Sequence, residues 1–284
     1  MSVPDRPVIL FHYPGSPYSK KVLWYLALRG IPYSQCIQPH ILPRPDLLNL
    51  GIQYRRIPVL SIGRDVHLDS RLILQKLEDF APEKPRLAAE SQSPEHRLIE
   101  RLFDSLSTDG GLFRHVACIL LASSPILNDP RFVQDRTEFS GELAPLADIE
   151  MAWPLVWLFS APGALPEDQV SARVFPKVYA WVERLDAAAN AAGNALPKPQ
   201  TLSGEQAAGI ISQSAFEGGV YRVQENDEVV RSQALEEEQL VKVWPFDSGS
   251  AHKTAGRLIG LNDDEVIVET LETETLIYTQ VEDI

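Results

Sequence analysis

The stretch YPGSPYSKKVLWYLALRG, residues 13–30, decides the predicted fold of this chain. The run VILFHY (8–13) leads into it and ends in Pro-Gly, which is typical of a buried strand. Apolar residues then recur at helical spacing from Pro17 to Leu28, and the glycine at the end of the stretch terminates the pattern. A second strand-like segment, IPYSQCI (31–37), follows. The three segments predict a βαβ unit with parallel strands.

The segments that follow complete a small α/β domain. Residues 46–51 predict a short helix, and residues 58–68 predict a β-hairpin that turns at Gly63-Arg64-Asp65. A helix with an acidic N-terminus is predicted over 69–78. The resulting order, β-α-β-α-β-β-α, predicts a first domain over residues 1–82.

The predicted secondary structure changes twice after this domain. A proline-containing linker over 83–94 leads into an all-helical domain over 95–196, with predicted helices at 96–106, 111–123, 131–143, 146–159 and 175–192. Residues 205–284 alternate in strand fashion. They predict five or six strands, including 218–224 and 227–233, in a small and mostly antiparallel barrel or sandwich.

Charge and composition exclude several classes of partner. The chain has a net charge of −13, and residues 205–284 hold 17 acidic and only 5 basic side chains. Phosphate binding needs clustered Lys and Arg, so nucleic acid is not an expected partner. The two cysteines, Cys36 and Cys118, form no disulfide framework or metal-ligand spacing, which favours a reducing, cytoplasmic location and no metal. No run approaches about 18 apolar residues, so neither a signal peptide nor a membrane span is expected.

The order of elements and three motifs together resemble the cytosolic glutathione S-transferases. SPYSKKVLWYLALRG (16–30) is similar to the turn from strand 1 to helix 1 in that family, RRIPVL (55–60) to its cis-proline loop, and LDSRLILQKLE (68–78) to its acidic-Ser signature. The resemblance covers about residues 7–195. It implies a thioredoxin-like N-terminal domain and an all-α C-terminal bundle, in a serine-type, fungal-like member with an additional β-rich extension.

The resemblance makes Ser16 the candidate catalytic residue. Ser16-Pro-Tyr-Ser19 looks like a Cys-Pro-Tyr-Cys redox motif with serine in place of both cysteines, and the family places a hydroxyl or thiol there against the glutathione sulfur. A free thiol has a pKa of about 8.5, and a hydroxyl donor at a positive helix N-terminus favours the thiolate. Ser19 and Tyr13 are alternative donors. The alternative for Ser16 is a purely structural N-cap.

The same resemblance implies the other contacts of glutathione. Pro58, if cis, presents the backbone of Ile57 to an extended peptide, and Asp69 with Ser70 holds the γ-glutamyl end unless the pair only caps the helix. Arg56 faces the glycine carboxylate. The implied glutathione-binding set is Ser16, His40, Arg56, Ile57, Pro58, Asp69 and Ser70.

The contact with the glycine carboxylate keeps alternatives. Arg55 competes with Arg56, because one of the two neighbouring side chains is expected to point to solvent, and His40 and Arg44 are further candidates for the same end of the peptide. The acceptor pocket is expected in the helical domain. Its candidate residues, for which ordinary core packing is the alternative, are Phe103, Phe113, His115, Trp153 and Trp157.

The resemblance therefore implies a glutathione transferase that activates the thiol of glutathione, its co-substrate, for attack on an apolar electrophilic small molecule. A biosynthetic or detoxification pathway and a homodimer are the matching expectations. The alternative function is a non-catalytic scaffold or regulatory module that binds protein, since a fold alone does not assign an activity. Titration with glutathione separates the two functions.

Overall fold

The computed structural model describes most of the chain outside the central helical region. The described residues are 6–81, 84, 86–87, 102–103, 106–107, 111–113, 115–116, 147–161, 163–217, 221–245, 251–262 and 265–280. The predicted helices at 96–106, 111–123 and 131–143 lie mostly or entirely outside them.

The chain forms two compact units, each built from separate pieces of sequence. The first unit comprises Met1–Pro14, Tyr33–Ile73 and Pro199–Ile284, and the second comprises Gly15–Pro32 and Leu74–Lys198. The described strands are β1 Val8–His12, β2 Ser34–Ile37, β3 Val59–Ile62, β4 Asp65–His67, β5 Thr201–Leu202, β6 Leu240–Val243, β7 Thr254–Leu261, β8 Glu265–Thr270 and β9 Leu276–Gln280. The described helices are α1 Pro17–Leu28, α2 Pro45–Leu48, α3 Ser70–Phe80, α4 Ala147–Phe159, α5 Pro176–Ala195, α6 Gly204–Gln213 and α7 Glu228–Gln233.

All nine described strands belong to one sheet in the first unit, in the order β5-β2-β1-β3-β4-β9-β8-β7-β6. Strands β1 and β2 are parallel, with Ile9 opposite Ser34, as the predicted βαβ unit requires. Strand β3 runs antiparallel to β1 and forms the predicted hairpin with β4. The predicted fold class, a thioredoxin-like α/β domain followed by helices and a β-rich extension, is confirmed.

The expected barrel or sandwich over 205–284 is wrong, because the described strands of this segment continue the sheet of the first domain. Strand β9 pairs in parallel with β4, with Val66 opposite Ile277, and β8, β7 and β6 follow in antiparallel order. An unpaired sheet edge offers a row of backbone donors and acceptors, and β9 fills that row along β4. The boundaries proposed at 82, 95, 196 and 205 remain predictions.

The predicted strand at 227–233 is instead a helix, α7, with Asp227 as its N-cap. The Asp227 side chain accepts hydrogen bonds from the amides of Val229 at 2.8 Å and Val230 at 3.2 Å. This cap supplies partners for two of the donors that a helix start leaves unpaired, so it outweighs the alternating pattern. The predicted strand at 218–224 is only partly described, with a single bridge between Val223 and Leu261.

One apolar cluster of the first unit contains residues from both the N-terminal and the C-terminal parts of the chain. Ile9, Val59 and Val66 from the first domain are fully buried in it. They lie beside Ile211 and Ile277 from residues 205–284, the C-terminal segment. Burial of this kind contributes about 1.5–3 kcal/mol for each large aliphatic side chain. The C-terminal segment is thus part of the core of the first unit.

In the second unit, α1 packs against α4 and α5, which also pack against each other. Asp186 on α5 accepts a hydrogen bond from the Trp24 indole at 3.2 Å and forms an ion pair with Lys20 at 2.8 Å. Within the described part of the chain, none of the helices combines the length and the apolar character needed to cross a bilayer.

Candidate functional site

Ser16 lies at the N-cap of α1 in the second unit. Its backbone is extended, with φ −69° and ψ 119°, and Pro17 occupies the first turn. The Oγ atom accepts a hydrogen bond from the Ser19 amide at 3.3 Å, so the capping role is present. This bond uses a lone pair of the oxygen and leaves the hydroxyl hydrogen for donation to another group.

Ser19 lies one turn further along α1, and its side chain is buried. Among the residues that the structure describes, its Oγ atom has no hydrogen-bond partner. A buried hydroxyl without a partner costs about 1–3 kcal/mol of folding free energy. The Ser19 hydroxyl is therefore available to donate a hydrogen bond to a ligand atom. It therefore remains an alternative to Ser16.

Tyr13, the third candidate donor, lies in the first unit directly after β1. Its ring meets the His40 ring edge-on, with centroids 4.5 Å apart and an interplanar angle of 84°. Tyr13 is partly buried against the main core cluster, whereas His40 is exposed. The structure thus brings together two residues that the resemblance assigned to glutathione.

The loop before β3 contains the residues that were predicted to contact the backbone of glutathione. The Ile57–Pro58 peptide bond is cis, as expected. Arg55 is buried and its carbonyl accepts a hydrogen bond from Arg44, while Arg56 is more exposed. Arg56 is thus the more accessible of the two neighbouring arginines.

The Arg44 side chain donates hydrogen bonds to two backbone carbonyls of the first unit. Its guanidinium is buried and also donates from Nε to the carbonyl of Pro39 at 3.2 Å. Through these two contacts Arg44 links the segment after β2 to the cis-proline loop.

Asp69 and Ser70 form the start of α3 in the first unit. Asp69 has a left-handed backbone with φ 65°, a conformation in which Asp is more common than most residues. Its side chain accepts from the Arg71 amide at 2.7 Å and its carbonyl from the Ile73 amide at 3.0 Å. Asp69 therefore caps the helix, and the partly exposed carboxylate keeps further acceptor positions for an amine.

The aromatic candidates for the acceptor pocket form a cluster in the second unit. The Phe113 ring lies 5.0 Å from that of Trp153 and 5.9 Å from that of Trp157, and Tyr18 contacts both Phe113 and Trp153. Phe113 and Trp153 are buried, so they pack as core residues, whereas Trp157 is partly exposed.

The two remaining acceptor candidates lie near the surface of the second unit. His115 is exposed, and its Nδ1 lies 2.7 Å from the carbonyl of Gly111. Phe103 is partly exposed. The assignment of any of these side chains to an acceptor remains a prediction.

Sequence reasoning missed a cavity of about 270 Å³ in the first unit. Apolar side chains around α2 form most of its wall, and Arg44, Tyr54 and His252 add polar groups. His252 comes from the C-terminal segment, some two hundred residues from the rest of the wall. No local pattern in the sequence signals such a pairing.

Groups of three or more His, Cys, Asp or Glu side chains that could hold a metal ion are absent from the residues that the structure describes.

Two family models match the chain, each over part of its length. The model described as "Glutathione S-transferase, N-terminal domain" matches residues 10–85, and that of a domain of unknown function, DUF7962, matches residues 142–194. The first match covers the cis-proline loop, Ser16, Asp69 and Ser70.

Two curated relatives match part of the chain. Glutathione S-transferase U1 of Arabidopsis thaliana is 28% identical over 109 residues, which are 38% of this chain and 47% of that protein. Glutathione S-transferase U3 of the same plant is 30% identical over 90 residues, which are 31% of this chain and 39% of that protein. The chain thus spans less than half the length of the curated relatives it matches.

A solved structure matches nearly the whole chain. A GST-like protein from Pseudomonas syringae is 21% identical and has a TM-score of 0.69, with 97% of this chain and 96% of that chain covered. At this identity the match concerns the fold, and its coverage includes the C-terminal segment. The comparisons thus identify residues 10–85 as a glutathione S-transferase N-terminal domain and show a GST-like fold for the chain.

Proposed function

We propose that this protein is a serine-type glutathione transferase, which activates the thiol of glutathione for attack on an apolar electrophilic small molecule. The observation that carries the proposal is the Ser16 hydroxyl at the start of α1, which accepts from the Ser19 amide and keeps its hydrogen for the sulfur. A biosynthetic or detoxification pathway, a cytoplasmic location and a homodimeric state belong to the same proposal.

The activation rests on stabilisation of an anion. A helix start presents backbone N–H groups and a partial positive charge, and a hydroxyl donor adds a direct hydrogen bond to sulfur. Both lower the pKa of the bound thiol from about 8.5, and the thiolate is the nucleophile. The thiol proton passes to water, and the sulfur lone pair forms the new C–S bond. In a substitution the leaving group departs with the displaced electron pair, whereas in a conjugate acceptor the π pair moves onto the conjugated electronegative atom and is then protonated.

The remaining contacts orient the tripeptide. Asp69 and Ser70 bind the γ-glutamyl end, the backbone of Ile57 beside Pro58 pairs with the cysteinyl residue, and Arg56 binds the glycine carboxylate. The greater exposure of Arg56 over Arg55 supports this choice.

The test measures the pKa of the bound thiol. Glutathione is titrated by calorimetry, and thiolate absorbance is then followed against pH in the wild type and in Ser16→Ala. We expect binding in both and a pKa about one to two units higher in the variant, because loss of the hydroxyl removes about 1.4 kcal/mol of thiolate stabilisation per unit. Ser19→Ala and Tyr13→Phe are matched controls. An unchanged pKa in Ser16→Ala, with a raised pKa in one control, would transfer the role to that residue.

A non-catalytic scaffold is the second candidate, and one observation favours it. The Ser16 hydroxyl already serves as a helix cap, so its presence is accounted for without any thiol. A scaffold predicts no heat and no thermal shift at millimolar glutathione, whereas the transferase predicts both.

A further inference from the structure

The C-terminal segment contacts the first domain immediately before the cis-proline loop. The Thr254 hydroxyl in β7 accepts a hydrogen bond from the Gln53 amide at 3.0 Å, and the Thr273 hydroxyl donates to the Leu50 carbonyl at 3.0 Å. Both contacts satisfy backbone groups of the segment 50–53, which leads directly into Arg56 and Ile57.

The Thr273 contact is oriented by two further threonines. The Thr270 and Thr275 hydroxyls lie 2.8 and 2.9 Å from the Thr273 oxygen. A hydroxyl has one hydrogen, and Thr273 gives its hydrogen to Leu50, so the Thr275 hydroxyl donates toward Thr273. The Thr270 hydroxyl divides its one hydrogen between the Thr273 oxygen and the Thr275 carbonyl, which lies 3.4 Å away. This arrangement fixes the direction of the Thr273 hydroxyl.

Two more contacts hold the turn between β8 and β9 on the first domain. Gly51 has φ 73°, and a β-carbon there would lie 3.1 Å from Cβ of Thr270, so the close approach favours glycine. Arg64, in the turn of the β3–β4 hairpin, donates to the Thr273 carbonyl at 3.2 Å. The segment 50–53 is thus packed against the C-terminal segment as well as hydrogen-bonded to it.

We propose that the C-terminal segment is a positioning element of the glutathione site, with Thr254 and Thr273 as its positioning residues. They fix the segment 50–53, and this fixes where Arg56 and Ile57 meet the peptide. The inference rests on the proposed function, since it concerns binding of glutathione at that loop. It assigns a role to a part of the chain that lies outside the matched N-terminal domain.

The test uses the full chain with Thr254→Val and Thr273→Val, which remove a hydroxyl at nearly constant volume. Two ligands are titrated, glutathione and its glycine monoethyl ester, which lacks the carboxylate that Arg56 would bind. We expect glutathione affinity to fall about tenfold in each variant, since small misplacements of a binding group are costly. The preference for glutathione over the ester should shrink as well, because the loop no longer places Arg56.

The affinity ratio separates positioning from general loss of stability. A merely destabilised protein would keep the wild-type preference between the two ligands. Ser232→Ala is the matched control, because this exposed hydroxyl of the C-terminal segment bonds within its own helix, to Val229 at 3.1 Å. Arg56→Ala gives the expected end point, a protein without the preference.

Hydrogen exchange gives a second readout that needs no ligand. The Gln53 amide should exchange faster in Thr254→Val than in the wild type and in Ser232→Ala. Binding by the wild type with unchanged affinity ratios in both variants would overturn this inference alone. A wild type that binds no glutathione would overturn the proposed function and this inference together.

Discussion

His12, at the end of β1, shows how one buried side chain links stability to pH. It is 4% exposed, and its Nε2 lies 3.0 Å from the Gln35 side-chain oxygen. Burial lowers the pKa of His12 below its ordinary 6.5, although hydrogen bonds to Gln35 and the Tyr13 backbone oppose this. The unfolded chain therefore takes up the proton at a higher pH than the folded one.

The contribution of His12 therefore lowers the free energy of unfolding as the pH falls below about 6.5. The loss is at most about 1.4 kcal/mol per pH unit, and it ends once His12 is protonated in the folded state as well. We expect His12→Gln to lose less stability than the wild type between pH 7.5 and 5.5. Urea unfolding at each pH measures both losses. Parallel losses in the two proteins would mean that His12 does not carry the effect.

Helix α7 shows how two end residues define an element. It begins after the Asp227 cap and ends at Ala234, whose φ of 50° is left-handed. A side chain with a β-carbon is disfavoured there by about 1 kcal/mol, and glycine is not. We therefore expect Ala234→Gly to raise the free energy of unfolding by about 1 kcal/mol in chemical denaturation.

The same substitution in an ordinary helical position should act in the opposite direction. Ala187 is exposed in the middle of α5, where glycine costs about 1 kcal/mol relative to alanine. A loss of stability in both variants would contradict a left-handed C-terminus for α7.

At the scale of the whole molecule, local signals were enough for the first domain but not for the C-terminal segment. The βαβ unit and the hydroxyl cap of Ser16 follow from nearby residues. The pairing of β9 with β4 joins positions about two hundred residues apart and leaves no local pattern. Thr254 and Thr273 likewise belong to no motif, since their partners are backbone atoms of Gln53 and Leu50.

The continuous sheet predicts that the C-terminal strands and the first domain unfold together. Leu258, in β7, is buried in a cluster that contains only C-terminal residues. Leu258→Ala should destabilise that cluster by about 2–5 kcal/mol. Because β9 lies between β8 and β4 and carries Ile277 into the main core, the loss should reach β1 undiminished.

Native-state hydrogen exchange measures this directly, since amide protection reports the free energy of the opening that exposes each site. We expect the amides of Ile9 and Leu10 in β1 to lose the same free energy of protection as those of β8 in Leu258→Ala. The reciprocal variant, Val59→Ala in the main core cluster, should lower protection in β8 by the amount it lowers it in β1. If β1 keeps its protection in Leu258→Ala, residues 205–284 open as a separate folding unit, and the sheet is continuous in structure without being cooperative.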